Sequence, residues 1–320
     1  MRYLNKNFSK NNKKTSENSQ NYYNFGLYKK KDMESKQLKW VLLIFLSLVW
    51  GSSFILIKRG LVGLSPFQLG SLRIIFAGAF LLIIGFKSLT KISSSQWKYI
   101  ALTAVIGTLL PVYFFSYAQT EIDSSVSAIL NSLTPLFTLL LGVLLFRFSY
   151  QRGQLLGVLI GLIGCVLLIF NGASAHSDQN YFYTIFVVLG SICYALNVNL
   201  IKKYLSDLNP LSITTGNFAV ILVPALIGLF FTDFGAVMHE TKVQHAMGFI
   251  LILAIVGTGI ANILFFKLIQ VASPIFASSV TYLIPVVAFF WGILDHESLS
   301  FTQMIGAFII LIGVYLAAKK

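Results

Sequence analysis

Polar side chains lie inside long apolar runs at several points of the chain, and the amides among them are the most versatile. Asn131, Asn197 and Asn262 fall in three different runs. An amide offers both hydrogen-bond donors and acceptors, which suits a polar or zwitterionic small molecule. A polar group in a membrane helix is costly unless it is paired or faces water, so such residues are candidates for a binding site.

Hydroxyl-bearing and aromatic residues accompany these amides. Hydroxyls add hydrogen bonds, and aromatic faces can stack on a ring in a ligand. With the three asparagines, the predicted substrate-binding residues are Trp50, Ser53, Tyr113, Ser132, Tyr194, Thr281 and Tyr282. For each residue taken singly, packing between helices is an equal alternative.

Two prolines interrupt apolar runs at matching places. NSLTPLFTLLLG spans 131–142 and TYLIPVVAFFWG spans 281–292, so Pro135 matches Pro285. A proline removes one backbone donor and loosens the helix, and lipid tolerates this only where protein or water satisfies the freed carbonyl. Such breaks in both halves point to a transporter with a site between repeats. We predict that both prolines hinge the helices or shape a cavity, with simple kinking for packing as the alternative.

Arg73 is the one charged residue predicted within a helix. Its insertion at a helix centre would cost about 2.5–3.5 kcal/mol. We predict either a structural role, such as bonding a backbone carbonyl, or contact with an anionic group. No predicted helix core contains Asp or Glu, which disfavours a carboxylate relay for proton or sodium coupling and favours facilitated diffusion.

Composition predicts a polytopic helical membrane protein. Of 320 residues, 56% are hydrophobic and 11% are charged, whereas a soluble domain carries about 25% charged residues. The net charge of +13 would suggest nucleic acid in a soluble protein. Here the basic residues flank apolar runs, so membrane orientation explains them and no nucleic-acid partner is predicted.

The sequence lacks the motifs of catalysis and cofactor binding. It has no Walker phosphate loop, no dinucleotide fingerprint and no HExxH pattern. Cys165 and Cys193 lie in apolar runs without metal-ligand spacing. We therefore predict that the chain is not an enzyme and uses neither cofactor nor metal.

Ten apolar segments of membrane-spanning length predict an all-α architecture. The predicted helices lie near 40–57, 67–86, 98–117, 125–146, 153–170, 181–201, 211–231, 247–267, 274–293 and 302–318. Residues 1–37 are rich in Asn, Lys and Ser, and we expect a disordered cytoplasmic tail. Met33 directly precedes the first apolar run, and we hypothesise that residues 1–32 reflect a misassigned start.

The distribution of charge predicts the orientation. With the N-terminus in the cytoplasm, only Lys58, Arg59, Lys242 and the intramembrane Arg73 of the 24 Lys and Arg residues fall outside it. This bias predicts a multi-pass protein of the cytoplasmic (inner) membrane with both termini in the cytoplasm. His296 lies between Asp295 and Glu297 at the outer end of the ninth helix, where we predict a solvated loop, with a pH-sensing gate as the alternative.

The two halves of the chain, 38–172 and 179–320, align as repeats. Lys58 matches Lys202, and Gly107-Thr108 matches Gly257-Thr258. Five helices per half is an odd number, so the second repeat crosses the membrane in the opposite sense. Inverted repeats place a substrate site near the bilayer midplane, where the halves meet.

Several segments together resemble one known family. WGSSFILIKRGL (50–61), SPFQLGSLRIIFAGAFLL (65–82), AILNSLTPLFTLLLGVLLF (128–146) and TYLIPVVAFFWGILDHE (281–297) are similar to the ten-helix, EamA-type metabolite exporters of the drug/metabolite transporter superfamily. The resemblance covers about residues 38–318. It implies a central cavity lined mainly by helices 1, 3, 4, 6, 8 and 9, with helices 5 and 10 outside it.

We predict a transporter that exports small metabolites, such as amino acids, by alternating access. The alternatives are an importer or a nucleotide- or sugar-type carrier of the same superfamily, and a non-transporting membrane receptor. The expected partners are a small-molecule substrate and the lipid bilayer. Gly153, Gly157 and Gly161 form a small-residue face on the fifth helix, which predicts either internal packing or a homodimer contact.

Overall fold

The computed structural model describes residues 37–147, 152–175, 179–297 and 300–318, and every regular element in these ranges is helical. Residues 1–36, including Met33 and nearly all of the predicted tail, lie outside the described residues. Residues 1–42 and 43–320 form two separate contact units, and the contacts reported below lie within the second unit.

The long helices are numbered in chain order. They are α1 Gln37–Leu61, α2 Pro66–Lys91, α3 Ser94–Ala118, α4 Ser124–Phe146, α5 Arg152–Ala175, α6 Tyr181–Tyr204, α7 Pro210–Phe230, α8 Thr241–Val271, α9 Pro274–Leu294 and α10 Phe301–Ala318. They coincide with the predicted segments, although α1, α3 and α8 begin earlier because polar first turns extend them.

Eight of the described helices, α1–α4 and α6–α9, are long and apolar enough to cross a membrane, and Phe301–Gly313 within α10 is a shorter apolar stretch. Large apolar side chains on the helix exteriors are exposed, as Ile83 and Phe230 are at 83% each. Such exposure suits contact with lipid. The all-helical polytopic class is confirmed, while ten crossings and the inverted orientation stay predictions.

Proline occupies the first turn of α2 and of α7, each time directly after a capping residue. Ser65 Oγ accepts from the backbone N–H of Gln68 at 3.2 Å, and the Gln68 side chain accepts from the Ser65 N–H at 3.0 Å. Asn209 Oδ1 accepts from the N–H of Leu211 at 2.9 Å. These caps satisfy donors that the first turn of a helix leaves unpaired, and proline needs no partner there.

Both predicted helix breaks are present. In α4, one helical piece ends at Asn131 and the next begins at Thr134. In α9, the 3₁₀ turn Ser279–Tyr282 separates Pro274–Ser278 from Ile284–Leu294. Pro135 and Pro285 stand in the first turn of the second piece, where a missing N–H breaks no hydrogen bond. Whether these breaks hinge stays a prediction.

Two π-helical segments, which the sequence did not predict, interrupt α3 and α8. They span Val105–Leu109 and Leu253–Ile260 and contain the matched Gly-Thr pairs. A π segment widens the helix locally and often marks a functional site.

Small residues let α5 and α10 touch along their backbones. A Cβ atom placed on Gly313 would lie 2.2 Å from the backbone nitrogen of Gly161 and 2.6 Å from the carbonyl oxygen of Gly157. Gly153 has no such neighbour within 4 Å. The predicted glycine face is therefore used mainly for packing within the chain.

Candidate functional site

A cavity of about 90 Å³ lies among α1, α2, α3, α4, α6, α8 and α9. Both halves of the chain contribute to its wall, and α5 and α10 do not line it. Its lining is Trp50, Ser53, Phe54, Ile57, Arg73, Gly107, Thr108, Val112, Phe115, Asn131, Thr134, Tyr194, Asn197, Val198, Gly257, Thr258, Asn262, Phe265, Phe266, Ser278, Thr281 and Ile284.

The cavity collects most of the residues that the sequence singled out. These are Trp50, Ser53, Arg73, Asn131, Tyr194, Asn197, Asn262 and Thr281. They come from six helices and meet because the breaks in α4 and α9 and the π segments in α3 and α8 all surround the same space.

Tyr113, Ser132 and Tyr282 lie outside the lining. The Tyr113 hydroxyl shares a 2.9 Å hydrogen bond with Ser71 Oγ, and its ring stacks on Phe67 at 4.9 Å. Ser132 is fully buried and donates to the carbonyl of Ile129 at 2.5 Å. Tyr113 and Ser132 therefore pack between or within helices, and Tyr282 packs against the buried core.

Pro135 and Pro285 are buried but do not line the cavity. Each follows a lining residue, Thr134 in α4 and Ile284 in α9. Their effect on the site is therefore through the backbone break that they follow.

Two pairs of aromatic rings form part of the wall. The Trp50 ring lies edge-on to Phe265 with centroids 4.8 Å apart, and its Nε1 donates to the carbonyl of Gly257 at 2.9 Å. The Tyr194 ring lies 5.8 Å from that of Phe115. The two pairs join α1 to α8 and α6 to α3.

Two glycines admit polar side chains to the π segments. A Cβ atom on Gly107 would lie 2.4 Å from the amide carbon of Asn197, and one on Gly257 would lie 2.9 Å from Ser53 Oγ. Both positions therefore need the absence of a side chain, because a larger residue would displace a group that lines the cavity.

The buried amides differ in how far they are hydrogen-bonded. Asn131 Oδ1 accepts from the Thr134 hydroxyl at 3.3 Å. Asn197 is 3% exposed, and its Oδ1 has no hydrogen-bond partner among the described residues. Asn199 donates to the carbonyls of Thr138 and Ala195 at 3.0 and 3.1 Å, so it joins α6 to α4. Its Oδ1 also has no partner among the described residues, but Asn199 does not line the cavity, whereas Asn197 does.

Arg73 is 8% exposed and reaches across to the π segment of α8. Its Nε donates to Thr258 Oγ1 at 2.8 Å, and the Thr258 hydroxyl in turn donates to the carbonyl of Leu253 at 3.0 Å. The partner of Arg73 is thus a hydroxyl of another helix rather than the backbone carbonyl that the sequence suggested.

Four polar lining residues were absent from the predicted set: Thr108, Thr134, Thr258 and Ser278. The repeated Gly-Thr pair was the signal that could have found Thr108 and Thr258. No comparable signal marks Ser278, whose match in the first half is Ala128.

A second polar cluster lies where α1 and α9 end and α4 begins. The Glu297 carboxylate accepts from the backbone N–H and the hydroxyl of both Ser124 and Ser125, at 2.5–3.1 Å. It also pairs with Lys58 Nζ at 2.8 Å. Asp295 pairs with Lys58 at 2.8 Å and with Arg59.

His296 is exposed, as the predicted solvated loop requires, whereas the neighbouring Glu297 side chain is 2% exposed. Burial by itself raises the pKa of this carboxyl, but hydrogen bonds from Lys58, Ser124 and Ser125 outweigh burial and hold the pKa of Glu297 below its usual range. The carboxylate thus caps the start of α4 and fixes it to α1 and α9.

Comparison with known proteins agrees with this architecture. Residues 38–170 and 182–319 match the EamA-like transporter family. An uncharacterized transporter of Archaeoglobus fulgidus is 26% identical over 88% of this chain and 99% of its own length. The uncharacterized inner membrane transporter YedA of Escherichia coli is 28% identical over 86% of this chain and 88% of its own length.

One solved crystal structure shares the fold, with a TM-score of 0.63 and 16% identity over 87% of this chain and 95% of that chain. The family match spans both halves and nearly all of the described helices. The chain therefore belongs to the EamA-like transporter family and is a multi-pass membrane transporter.

Proposed function

We propose that this transporter exports a small polar metabolite, such as an amino acid, across the cytoplasmic membrane by alternating access. The observation that carries the proposal is a cavity walled by both halves of the chain, in which amide, hydroxyl and guanidinium groups stand among apolar and aromatic side chains. A site between two halves is what alternating access needs, because rocking one half against the other exposes it to each side in turn.

The irregular backbone supports a moving wall. The breaks in α4 and α9 and the π segments in α3 and α8 all border the cavity. Helices interrupted at these points can change direction with less loss of hydrogen bonding than intact helices. We propose that Pro135 and Pro285 lie at the hinges of this motion.

The size of the cavity favours small solutes. A water molecule needs roughly 10–15 Å³ of such space, so 90 Å³ accommodates on the order of six waters. We propose that both termini face the cytoplasm, as the distribution of Lys and Arg indicates.

Flux through liposomes tests the proposal. The purified full-length chain is reconstituted, and counterflow is measured for a panel of amino acids and other small polar solutes. Gly107→Val places a branched side chain against Asn197 and is expected to abolish flux. Gly248→Val is the matched control, since Gly248 has no neighbour within 4 Å of its Cβ position.

Two results would contradict the proposal. One is a folded preparation that moves none of the solutes faster than empty liposomes do. The other is equal flux through Gly107→Val and Gly248→Val. Export is tested separately by metabolite levels inside and outside cells that lack or overproduce the chain, with accumulation inside the deletion strain as the expected result.

A further inference from the structure

Resting on the proposed function, we infer that the transported solute is a small organic acid with a hydrogen-bond donor next to its carboxylate, such as an α-amino or α-hydroxy acid. Arg73 binds the carboxylate, and the amide of Asn197 accepts from the donor. The inference assigns a substrate class to the cavity and a specificity-determining role to each residue.

The hydrogen bonding of Arg73 is incomplete. Only Nε has a partner, Thr258 Oγ1, and no acceptor lies within hydrogen-bond distance of the two terminal nitrogens in the described part of the chain. A guanidinium carries five N–H donors, so most of them point to other partners. Because Arg73 lines the cavity, a solute is the partner within reach.

The structural charges of this chain provide a contrast. Lys202 donates to the carbonyls of Ile269, Gln270 and Ala272 at 2.9–3.3 Å. Glu297 accepts four hydrogen bonds and one ion pair. Lys202 and Glu297, which join helices, thus each have several partners for their charged groups. Among the described residues, Arg73 has a partner for only one of its three nitrogens.

The partner of Arg73 is expected to be anionic. None of the residues that line the cavity is Asp or Glu, so its positive charge has no compensation within the described wall. An uncompensated charge in a membrane interior is unfavourable, and an anion that enters the cavity offsets that cost. The same charge disfavours cationic drugs.

Geometry selects a carboxylate. Thr258 holds the guanidinium by Nε, which leaves the edge with both terminal nitrogens for a second partner. Two parallel N–H groups match the two oxygens of a carboxylate. The π segment fixes this arrangement, because the Thr258 hydroxyl is itself anchored on the carbonyl of Leu253 five residues earlier.

Asn197 supplies the second point of recognition. Its Oδ1 is an acceptor without a partner in the described part of the chain, and the residue is only 3% exposed. A buried acceptor that stays unpaired is costly, so a site of this kind rejects ligands that lack the matching donor. An ammonium or hydroxyl group next to the carboxylate provides that donor.

The test uses the full-length chain in liposomes and solutes that share one carbon skeleton. Alanine and lactate carry both groups, alaninamide lacks the carboxylate, and propanoate lacks the donor. The corresponding leucine series covers a larger side chain. We expect alanine or lactate, or their leucine-series counterparts, to be transported at least about tenfold faster than the amide and the donorless acid.

Variants assign the two roles. Arg73→Gln is expected to lower transport of the acids about tenfold or more. Arg73→Lys keeps the charge but loses the two parallel N–H groups, so its transport rate is expected to lie between those of Arg73→Gln and the unaltered chain. Asn197→Leu is expected to reduce the preference for alanine over propanoate. Lys267→Gln, which removes an exposed cation from α8, is the matched control and should transport normally.

The outcomes separate this inference from the proposed function. If the amide moves as fast as the acid, or if Arg73→Gln transports acids as Lys267→Gln does, the anionic substrate class is overturned while the transporter remains. If no solute of any charge moves, the proposed function itself fails. If Arg73→Gln does not fold, Arg73→Lys and the acid–amide comparison in the unaltered chain decide.

Discussion

Two buried charges of this transporter, Glu297 and Arg73, are treated in opposite ways. Glu297 has donors on every side, from Ser124, Ser125 and Lys58. Arg73 has the single hydroxyl of Thr258. Both side chains are more than nine-tenths buried, so exposure to solvent does not explain the difference.

The difference teaches what each charge is for. A saturated charge has its energy minimum in the structure as it stands, so it fixes the helices that it joins. A charge with spare donors reaches its minimum only with a further partner. Glu297 is therefore expected to govern stability, and Arg73 is expected to govern binding.

The largest expected effect is on stability. Glu297→Ala leaves Lys58 and the donors of Ser124 and Ser125 without their acceptor, and we expect the free energy of unfolding to fall by about 3–5 kcal/mol. Thermal and denaturant unfolding in detergent measure it. Glu240→Ala is the matched control, because Glu240 pairs with Lys242 at an exposed site and should cost less than about 1 kcal/mol. Equal losses would refute the assigned role of Glu297.

A loss of stability of intermediate size is expected at acidic pH. The pKa of Glu297 is lower in the folded state than the ordinary value of about 4.3. A depressed folded-state pKa means that the stabilisation is complete above the unfolded-state pKa and is lost as pH falls through the folded-state pKa. We expect a constant melting temperature between about pH 7 and 5.5 and a decline below about pH 4.5.

Glu297→Gln separates this carboxyl from the others in the same scan. Its loss of stability below about pH 4.5 should be shallower than that of the unaltered chain, because one linked proton is missing. Parallel curves for the two proteins would show that Glu297 is not the group responsible.

The smallest expected effect is the stability change in Arg73→Gln. Glutamine can still donate to Thr258, and the variant loses a charge that has no counter-charge in the cavity wall. We expect the free energy of unfolding to change by less than about 1 kcal/mol. A loss as large as that of Glu297→Ala would place Arg73 among the structural charges, and the contrast between the two residues would disappear.

Sequence reasoning located the helices well, because run length and polar interruptions are local properties. About 20 apolar residues cross the hydrocarbon, and a proline shortly after polar residues in each half marked the breaks at Asn131–Thr134 and before Pro285. Most of the polar residues that line the cavity were recognisable for the same reason, since they are unexpected in apolar runs.

The orientation of each helix about its own axis was not predictable in this way. Ser132 and Tyr282 follow the lining residues Asn131 and Thr281 by one position, and one position turns a side chain by about 100° in a helix. Runs that are apolar all round carry no periodic signal to choose the face. Packing of the helices against one another therefore determines that Asn131 and Thr281 face the cavity, whereas Ser132 and Tyr282 do not.

By itself, the sequence determined the class, the positions of the helices, their breaks and the family. Only the tertiary structure decided which charges are satisfied. Arg73 meets Thr258 across 185 positions, and Lys58 meets Glu297 across 239. Such contacts depend on how separate helices pack, and no local pattern records them. The same Asp-His-Glu segment that suggested a solvated loop therefore contains a buried carboxylate that holds three helices together.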